Sequence, residues 1–138
     1  MIQKSVYLHC PPTRAFQIFT GEISRWWPES RRHTGDPNSE IRILSSGRFY
    51  ERARDGHEVE LGFVHEWNPP QRLVLDFYPG TDPEHPTRVV ISFVAEGDGT
   101  RLTIDHGPTA ASANLFDLRA PNYEASWDAI FTALLTHI

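Results

Sequence analysis

His106 is the polar residue whose position most clearly suggests chemistry. It follows Leu102 and Ile104 at alternating positions, so in a strand its side chain shares a face with two apolar side chains. A histidine placed there can hold a ligand oxygen or transfer a proton near neutral pH. It can also be a core histidine that hydrogen-bonds the backbone at the end of its strand. The sequence leaves both interpretations open.

Glu51 is the carboxylate that we expect beside His106. It has the same parity as Phe49, which is the predicted inward aromatic side chain of its strand. A nearby carboxylate would raise the pKa of the histidine, whereas burial alone would lower it. The alternative for Glu51 is a surface acid that pairs with Arg52 or Arg54.

The remaining motifs argue against metals and nucleotide cofactors. The seven histidines include no pair at the four-residue spacing of a zinc helix, and Cys10 is the single cysteine. The Gly97-Asp98-Gly99 segment lacks the third glycine of a dinucleotide fingerprint and precedes a strand, so it predicts a hairpin turn. Neither a nucleophile elbow nor a phosphate-binding loop is present. We therefore expect no metal and no cofactor.

Length and composition limit the class of protein. The chain has 138 residues, which suits one domain spanning residues 1–138, and a net charge of -5, which disfavours a nucleic-acid binder. A single cysteine suits a reducing compartment. No segment approaches the ~20 apolar residues of a membrane span. We expect a cytoplasmic protein without membrane insertion.

The order of predicted elements defines the fold class. A strand at residues 3–10 precedes two short helices, at 13–20 and 22–27, and an exposed loop at 31–38. Period-two patterns from residue 40 to 105 then predict about six strands, and their hairpin-length connections require an antiparallel sheet. One of these strands is expected to direct five side chains to a single face: Val59, Leu61, Phe63, His65 and Trp67.

A long helix is predicted to begin near Pro121, because proline suits the first helical turn, and to run to the C-terminus. Apolar residues recur along it at three- and four-residue spacing: Tyr123, Trp127, Ile130, Phe131, Leu134 and Ile138. This stripe must be buried on the concave face of the sheet. The prediction is an α+β helix-grip fold with six to seven strands.

Several short motifs, in their order and spacing, resemble a known family over nearly the whole chain. They are Val6-x-Leu8 with Pro11-Pro12, Ala15-Phe16, Trp26-Trp27-Pro28, Gly47-Arg48-Phe49-Tyr50-Glu51, Gly62-x-Val64-x-x-Trp67-x-Pro69-Pro70, Gly97-x-Gly99-Thr100-Arg101-Leu102, His106 and Trp127. The pattern is similar to the SRPBCC, or START-like, superfamily, within the branch of homologues of the activator of the heat-shock-chaperone ATPase. Ser46-Gly47 replaces the expected Gly-Gly of that branch, and phenylalanine replaces tryptophan at positions 49 and 77.

The resemblance implies a birch-allergen-like fold with a hydrophobic ligand cavity between the sheet and the last helix. Parity and helical phase place Phe77, Tyr123 and Trp127 at its walls, and Trp27 is expected near its mouth. An empty void of ~300 Å³ would cost about 7 kcal/mol at ~24 cal/mol per Å³. The cavity should therefore be filled by a ligand, wet around His106, or plugged by aromatic side chains.

Three functions remain open. The first is noncatalytic binding of a hydrophobic or amphipathic small molecule by the seven residues His106, Glu51, Phe49, Phe77, Trp27, Tyr123 and Trp127. The second is a cyclase- or aromatase-like enzyme in which His106 is the general acid or base and Glu51 orients it. The third is activation of a chaperone ATPase. A chaperone partner or a homodimer is compatible with the sequence, which does not identify a ligand.

Overall fold

A computed structural model describes residues 1–138 and shows one curled antiparallel sheet of seven strands. The strands are β1 (Ile2–Leu8), β2 (Glu40–Ile43), β3 (Arg48–Arg52), β4 (Glu58–Asn68), β5 (Arg72–Phe77), β6 (Thr87–Glu96) and β7 (Gly99–Pro108). Their spatial order is β1-β7-β6-β5-β4-β3-β2, so the first two strands form the two edges. Every neighbouring pair is antiparallel, which confirms the prediction from hairpin-length turns.

Three helices complete the α+β helix-grip fold. The helices are α1 (Pro12–Gly21), α2 (Ile23–Trp26) and α3 (Ala113–His137), with short 3-10 turns at Glu29–Arg31 and Ala110–Ser112. The two short helices after β1 are therefore confirmed. The buried side chains of α3 join those of the sheet in one core of 29 residues. None of the helices has the length and apolar character needed to cross a membrane.

The start of the last helix differs from the prediction. It begins at Ala113, eight residues before Pro121, and Pro121 lies inside it. Proline has no N–H group, so the carbonyl of Asp117 receives no helical hydrogen bond from position 121. Asp117 and Pro121 are both exposed, so water can satisfy this carbonyl. The predicted buried stripe is correct for Tyr123, Trp127 and the apolar residues that follow, but not for Ile138, which is 44% exposed.

The prediction that five side chains of β4 share one face is wrong. Phe63 is 45% exposed and His65 is also exposed, whereas Leu61 and Val64 are buried. The pairing register shifts at two places, so that Leu61 and then His65 have no opposite residue on the neighbouring strand. Each bulge inserts one residue and reverses the alternation that follows. Trp67 returns to the inner face after the second bulge and packs against the core.

Candidate functional site

His106 lies at the centre of a closed hydrogen-bond chain. Its Nδ1 accepts a hydrogen bond from the indole Nε1–H of Trp127 at 3.0 Å. Its Nε2 is 2.7 Å from Oγ1 of Thr87, and that hydroxyl donates to the carbonyl of Phe77 at 3.1 Å. Indole is only a donor, and the Thr87 proton goes to Phe77. The imidazole is therefore the neutral Nε2–H tautomer, with both of its nitrogens engaged.

Burial controls the protonation of this ring. His106 is fully buried, and burial, assisted by the charge of the amino terminus, lowers its pKa to about 4. Protonation would also require Nδ1 to give up the hydrogen bond from Trp127. In this arrangement the ring is neutral at physiological pH and has no free lone pair or proton for a substrate.

Aromatic rings fill the space around His106 where a cavity was expected. The ring centroid of Tyr123 lies 4.4 Å from that of His106, and those of Phe77 and Phe116 lie 5.4 Å away. Trp127 packs edge-on to the imidazole at 6.1 Å. The sequence leaves three states open for the cavity: filled by a ligand, wet around His106, or plugged by aromatic side chains. Around His106 the structure shows the third state, because bulky rings occupy the interior.

A cleft of about 100 Å³ opens above this aromatic cluster, between α3 and the segments that follow α2 and β5. It is lined by Trp27, Arg31, His33, Phe77, Pro79, Gly80, Arg119, Asn122, Tyr123, Ser126 and Ile130. Ligand pockets usually measure from about 300 Å³ upward. The cleft can therefore admit a group about the size of one aromatic ring but cannot enclose a larger molecule.

Tyr123 links the wall of the cleft to the turn after β5. Its hydroxyl donates a 2.9 Å hydrogen bond to the carbonyl of Pro79, and burial raises its pKa. Gly80 adopts a φ of +81°, and a Cβ at this position would lie 3.0 Å from the Tyr123 hydroxyl. Only glycine combines that left-handed backbone with such a close approach.

Glu51 organises the loop at the opposite side of the cleft. Its carboxylate accepts hydrogen bonds from the backbone N–H groups of His33 (2.7 Å) and Thr34 (3.0 Å) and from the hydroxyls of Thr34 (2.6 Å) and Ser39 (2.9 Å). Burial alone would raise the pKa of Glu51, but these four hydrogen bonds outweigh it and hold the pKa below its usual value. The loop that carries Arg31 and His33 is thereby tied to β3.

The expected pairing of Glu51 with His106 does not occur. The parity argument correctly placed Glu51 on the inner face, where it is fully buried, but the loop at 33–39 supplies all of its partners. His106 is engaged by Thr87 and Trp127. The Glu51 alternative, a surface acid paired with Arg52 or Arg54, is wrong as well, because those arginines pair with Glu58 and Asp36.

The seven residues predicted to form the site therefore occupy three places. Trp27, Phe77 and Tyr123 line the cleft. His106 and Trp127 lie in the aromatic cluster behind it. Phe49 packs against Trp27 with ring centroids 6.1 Å apart, and Glu51 holds the adjacent loop.

Polar residues of the cleft were missed from the sequence. Three of them lie on α3 at three- and four-residue spacing, in phase with Tyr123: Arg119, Asn122 and Ser126. This spacing would have indicated them if the predicted helix had begun at Ala113. Arg31 and His33 come from an irregular segment, for which the sequence carries no such signal. No group of three or more His, Cys, Asp or Glu side chains is arranged to hold a metal ion.

The profile of the family described as "Activator of Hsp90 ATPase homolog 1-like protein" matches residues 9–137. The chain therefore belongs to this family, within the SRPBCC-like helix-grip proteins. None of the curated proteins matches the sequence significantly.

Solved structures share the fold at low sequence identity. CalC from Micromonospora echinospora, described as a self-sacrificing resistance protein, superposes with a TM-score of 0.73 at 23% identity, covering 99% of this chain and 92% of CalC. CalU16 from the same organism gives 0.58 at 17% identity, covering 96% and 74%. DynU16, from the dynemicin biosynthetic locus, gives 0.63 at 16% identity, covering 99% and 46%. These similarities show the common fold.

Proposed function

We propose that this protein binds an amphipathic small molecule noncatalytically, with one apolar group inserted into the cleft between α3 and the sheet. The observation that carries the proposal is the cleft itself, in which Trp27, Phe77 and Tyr123 present aromatic surface beside a polar rim. Pockets that combine apolar walls with a few polar groups are typical of small-molecule sites. The remainder of the ligand lies outside the cleft, because about 100 Å³ holds only a ring-sized group.

The fold relatives support a small-molecule role. CalC is described as a resistance protein, and DynU16 belongs to a biosynthetic locus; both descriptions concern a compound that is resisted or made. The family description names an activator of a chaperone ATPase. We favour ligand binding because the cleft is a specific structural feature that supports it, and chaperone activation has no comparable feature in this chain.

A cyclase-like activity through His106 is less well supported. General acid or base catalysis needs a nitrogen that can reach the substrate, and both nitrogens of this ring are bound within the protein. His106 instead holds Trp127 and Thr87 in place behind the cleft wall. We therefore assign it a positioning role, in which it fixes the surface against which the ligand packs.

Fluorescence titration with phenylnaphthylamine, an uncharged aromatic probe, tests the proposal. The wild-type protein should bind one probe molecule per chain, with quenching of the Trp27 indole. Ser126→Trp, which adds a bulky ring at the cleft, should abolish binding. Ala125→Trp is the matched control, because Ala125 is the adjacent small residue on α3, is exposed and does not line the cleft.

The outcomes separate clearly. Loss of binding in the Ser126 variant alone supports the cleft as the site, provided that circular dichroism shows both variants to be folded. Equal binding by both variants, or failure of the wild-type protein to bind any aromatic probe, charged or uncharged, would overturn the proposal. Native mass spectrometry of the purified protein, searched for a co-purifying compound, then gives the mass of a natural ligand.

A further inference from the structure

The charged side chains that line the cleft are positive, whereas the net charge of the protein is negative. The chain has 18 acidic and 13 basic residues, yet no aspartate or glutamate is among the residues that line the cleft. Two arginines, Arg31 and Arg119, and one histidine, His33, are among them. The cleft is therefore a locally cationic site on an acidic protein.

The two arginines of the cleft are also unusual in having no partner. Eight of the other arginines form ion pairs with Asp or Glu: Arg14, Arg42, Arg48, Arg52, Arg54, Arg72, Arg88 and Arg101. Arg32 donates four hydrogen bonds to the loop and α2. Only Arg25, Arg31 and Arg119 lack both an ion pair and a side-chain hydrogen bond, and two of these three face the cleft.

Arg31 has a guanidinium group without any partner. Its Nε is buried and makes no hydrogen bond, which is costly for a polar group out of water. The Nε of Arg32 is in the same state, but both terminal nitrogens of Arg32 are hydrogen-bonded within the protein. The indole of Trp27 donates a hydrogen bond to the carbonyl of Arg31 at 3.3 Å. This bond holds the backbone of Arg31 beside the cleft, and its guanidinium is free to bind an acceptor; a carboxylate or phosphate matches its geometry best.

We propose that the ligand of the cleft carries an anionic group, a carboxylate or a phosphate, which binds Arg31 and Arg119 while its apolar part packs on Trp27, Phe77 and Tyr123. This inference rests on the proposed function and adds the chemical class of the ligand. Arg31 approaches from the loop after α2 and Arg119 from α3, so the anion joins the two walls of the cleft.

A pair of probes that differ in charge tests the inference. Anilinonaphthalene sulfonate carries a permanent negative charge, and phenylnaphthylamine has the same aromatic rings without it. The wild-type protein should bind the sulfonate more tightly, and added salt should weaken only the sulfonate complex. Arg31→Gln and Arg119→Gln should each weaken sulfonate binding by about tenfold, the usual scale of a charge-assisted hydrogen bond, and should change phenylnaphthylamine binding by a much smaller factor, because that probe has no charge for either arginine to bind.

Arg25→Gln is the matched control. Arg25 is an exposed arginine that also lacks a partner, but it does not line the cleft, so its variant should bind both probes as the wild-type protein does. Displacement of the sulfonate probe by decanoate, decyl phosphate and decanol then distinguishes a carboxylate from a phosphate ligand, with the alcohol as the uncharged reference.

The results distinguish the two proposals. Failure of both probes to bind the wild-type protein would overturn the small-molecule function and this inference together. Equal affinity for the two probes, with no effect of the cleft arginines, would overturn the anionic ligand and leave the binding function standing. A tenfold loss in the Arg25 variant would also overturn it, since the effect would then reflect general surface charge.

Discussion

Replacing His106 with glutamine tests the closed hydrogen-bond chain behind the cleft through the pH dependence of stability. The pKa of a free histidine is about 6.5, and burial lowers that of His106 to about 4. The unfolded chain therefore binds a proton at a pH where the folded chain does not. Stability from this residue is fully present above pH 6.5 and is lost as the pH falls towards 4.

The magnitude follows from these two pKa values. The lowered pKa reduces the free energy of unfolding by about 0.2 kcal/mol at pH 7 and by about 2 kcal/mol at pH 5, so about 2 kcal/mol should be lost between them. Carboxylates such as Glu51, whose hydrogen bonds lower their pKa in the folded state, also make the protein less stable in acid. The contribution of His106 is therefore the stability that the wild-type protein loses between pH 7 and pH 5 minus the stability that the variant loses over the same range.

Urea denaturation at pH 7 and pH 5 provides the measurement. Between pH 7 and pH 5 the free energy of unfolding of the wild-type protein should fall by about 2 kcal/mol more than that of His106→Gln. This difference does not depend on how much the substitution destabilises the protein at pH 7. His9→Gln controls for removing a histidine from the surface. If the wild-type protein and the His106 variant lose stability in parallel, His106 is not held neutral in the folded state, and the assigned tautomer is wrong.

Three further changes test other parts of the structure. Trp127→Ala should lower the free energy of unfolding by about 3 to 5 kcal/mol, since it empties the centre of the core and orphans Nδ1 of His106; a loss below about 1 kcal/mol in urea would show that the ring is not buried. Glu51→Gln should leave the sheet intact and increase amide hydrogen exchange at residues 33–39, and unchanged exchange there would contradict its role. Pro121→Ala should raise the thermal midpoint, because proline inside a helix costs up to about 3 kcal/mol; calorimetry showing a lower midpoint would mean that Pro121 is required.

The fold could be predicted because its signals are local and repeated. Alternation along β5, β6 and β7 and the stripe on α3 each specify a buried face, and hairpin-length turns leave antiparallel pairing as the solution. The errors arose where one residue changes the pattern. Two bulges reverse the faces of β4 around Phe63 and His65, and an exposed Pro121 is tolerated inside a helix whose start it was expected to mark.

The site was less predictable because it depends on long-range partners. Parity correctly directed His106 and Glu51 inward, but parity carries no information about which groups meet there. Trp127 lies on α3, and the partners of Glu51 lie in an irregular loop, so neither pairing has a periodic signature. The size of the cleft depends on how fully the aromatic rings fill the interior, and this is a property of packing in three dimensions.

The placement of β1 at the sheet edge beside β7 has a consequence for how the protein is made. β1 is synthesised before the other six strands, yet its pairing partners, such as Thr100 opposite Leu8, lie in β7, the last strand to be made. During translation the backbone hydrogen-bonding groups of β1 remain unpaired and exposed until β7 has left the ribosome. Such distant pairing slows folding, and an unpaired strand is prone to aggregation. A chain truncated before β7 should therefore be insoluble, although six of its seven strands have been synthesised.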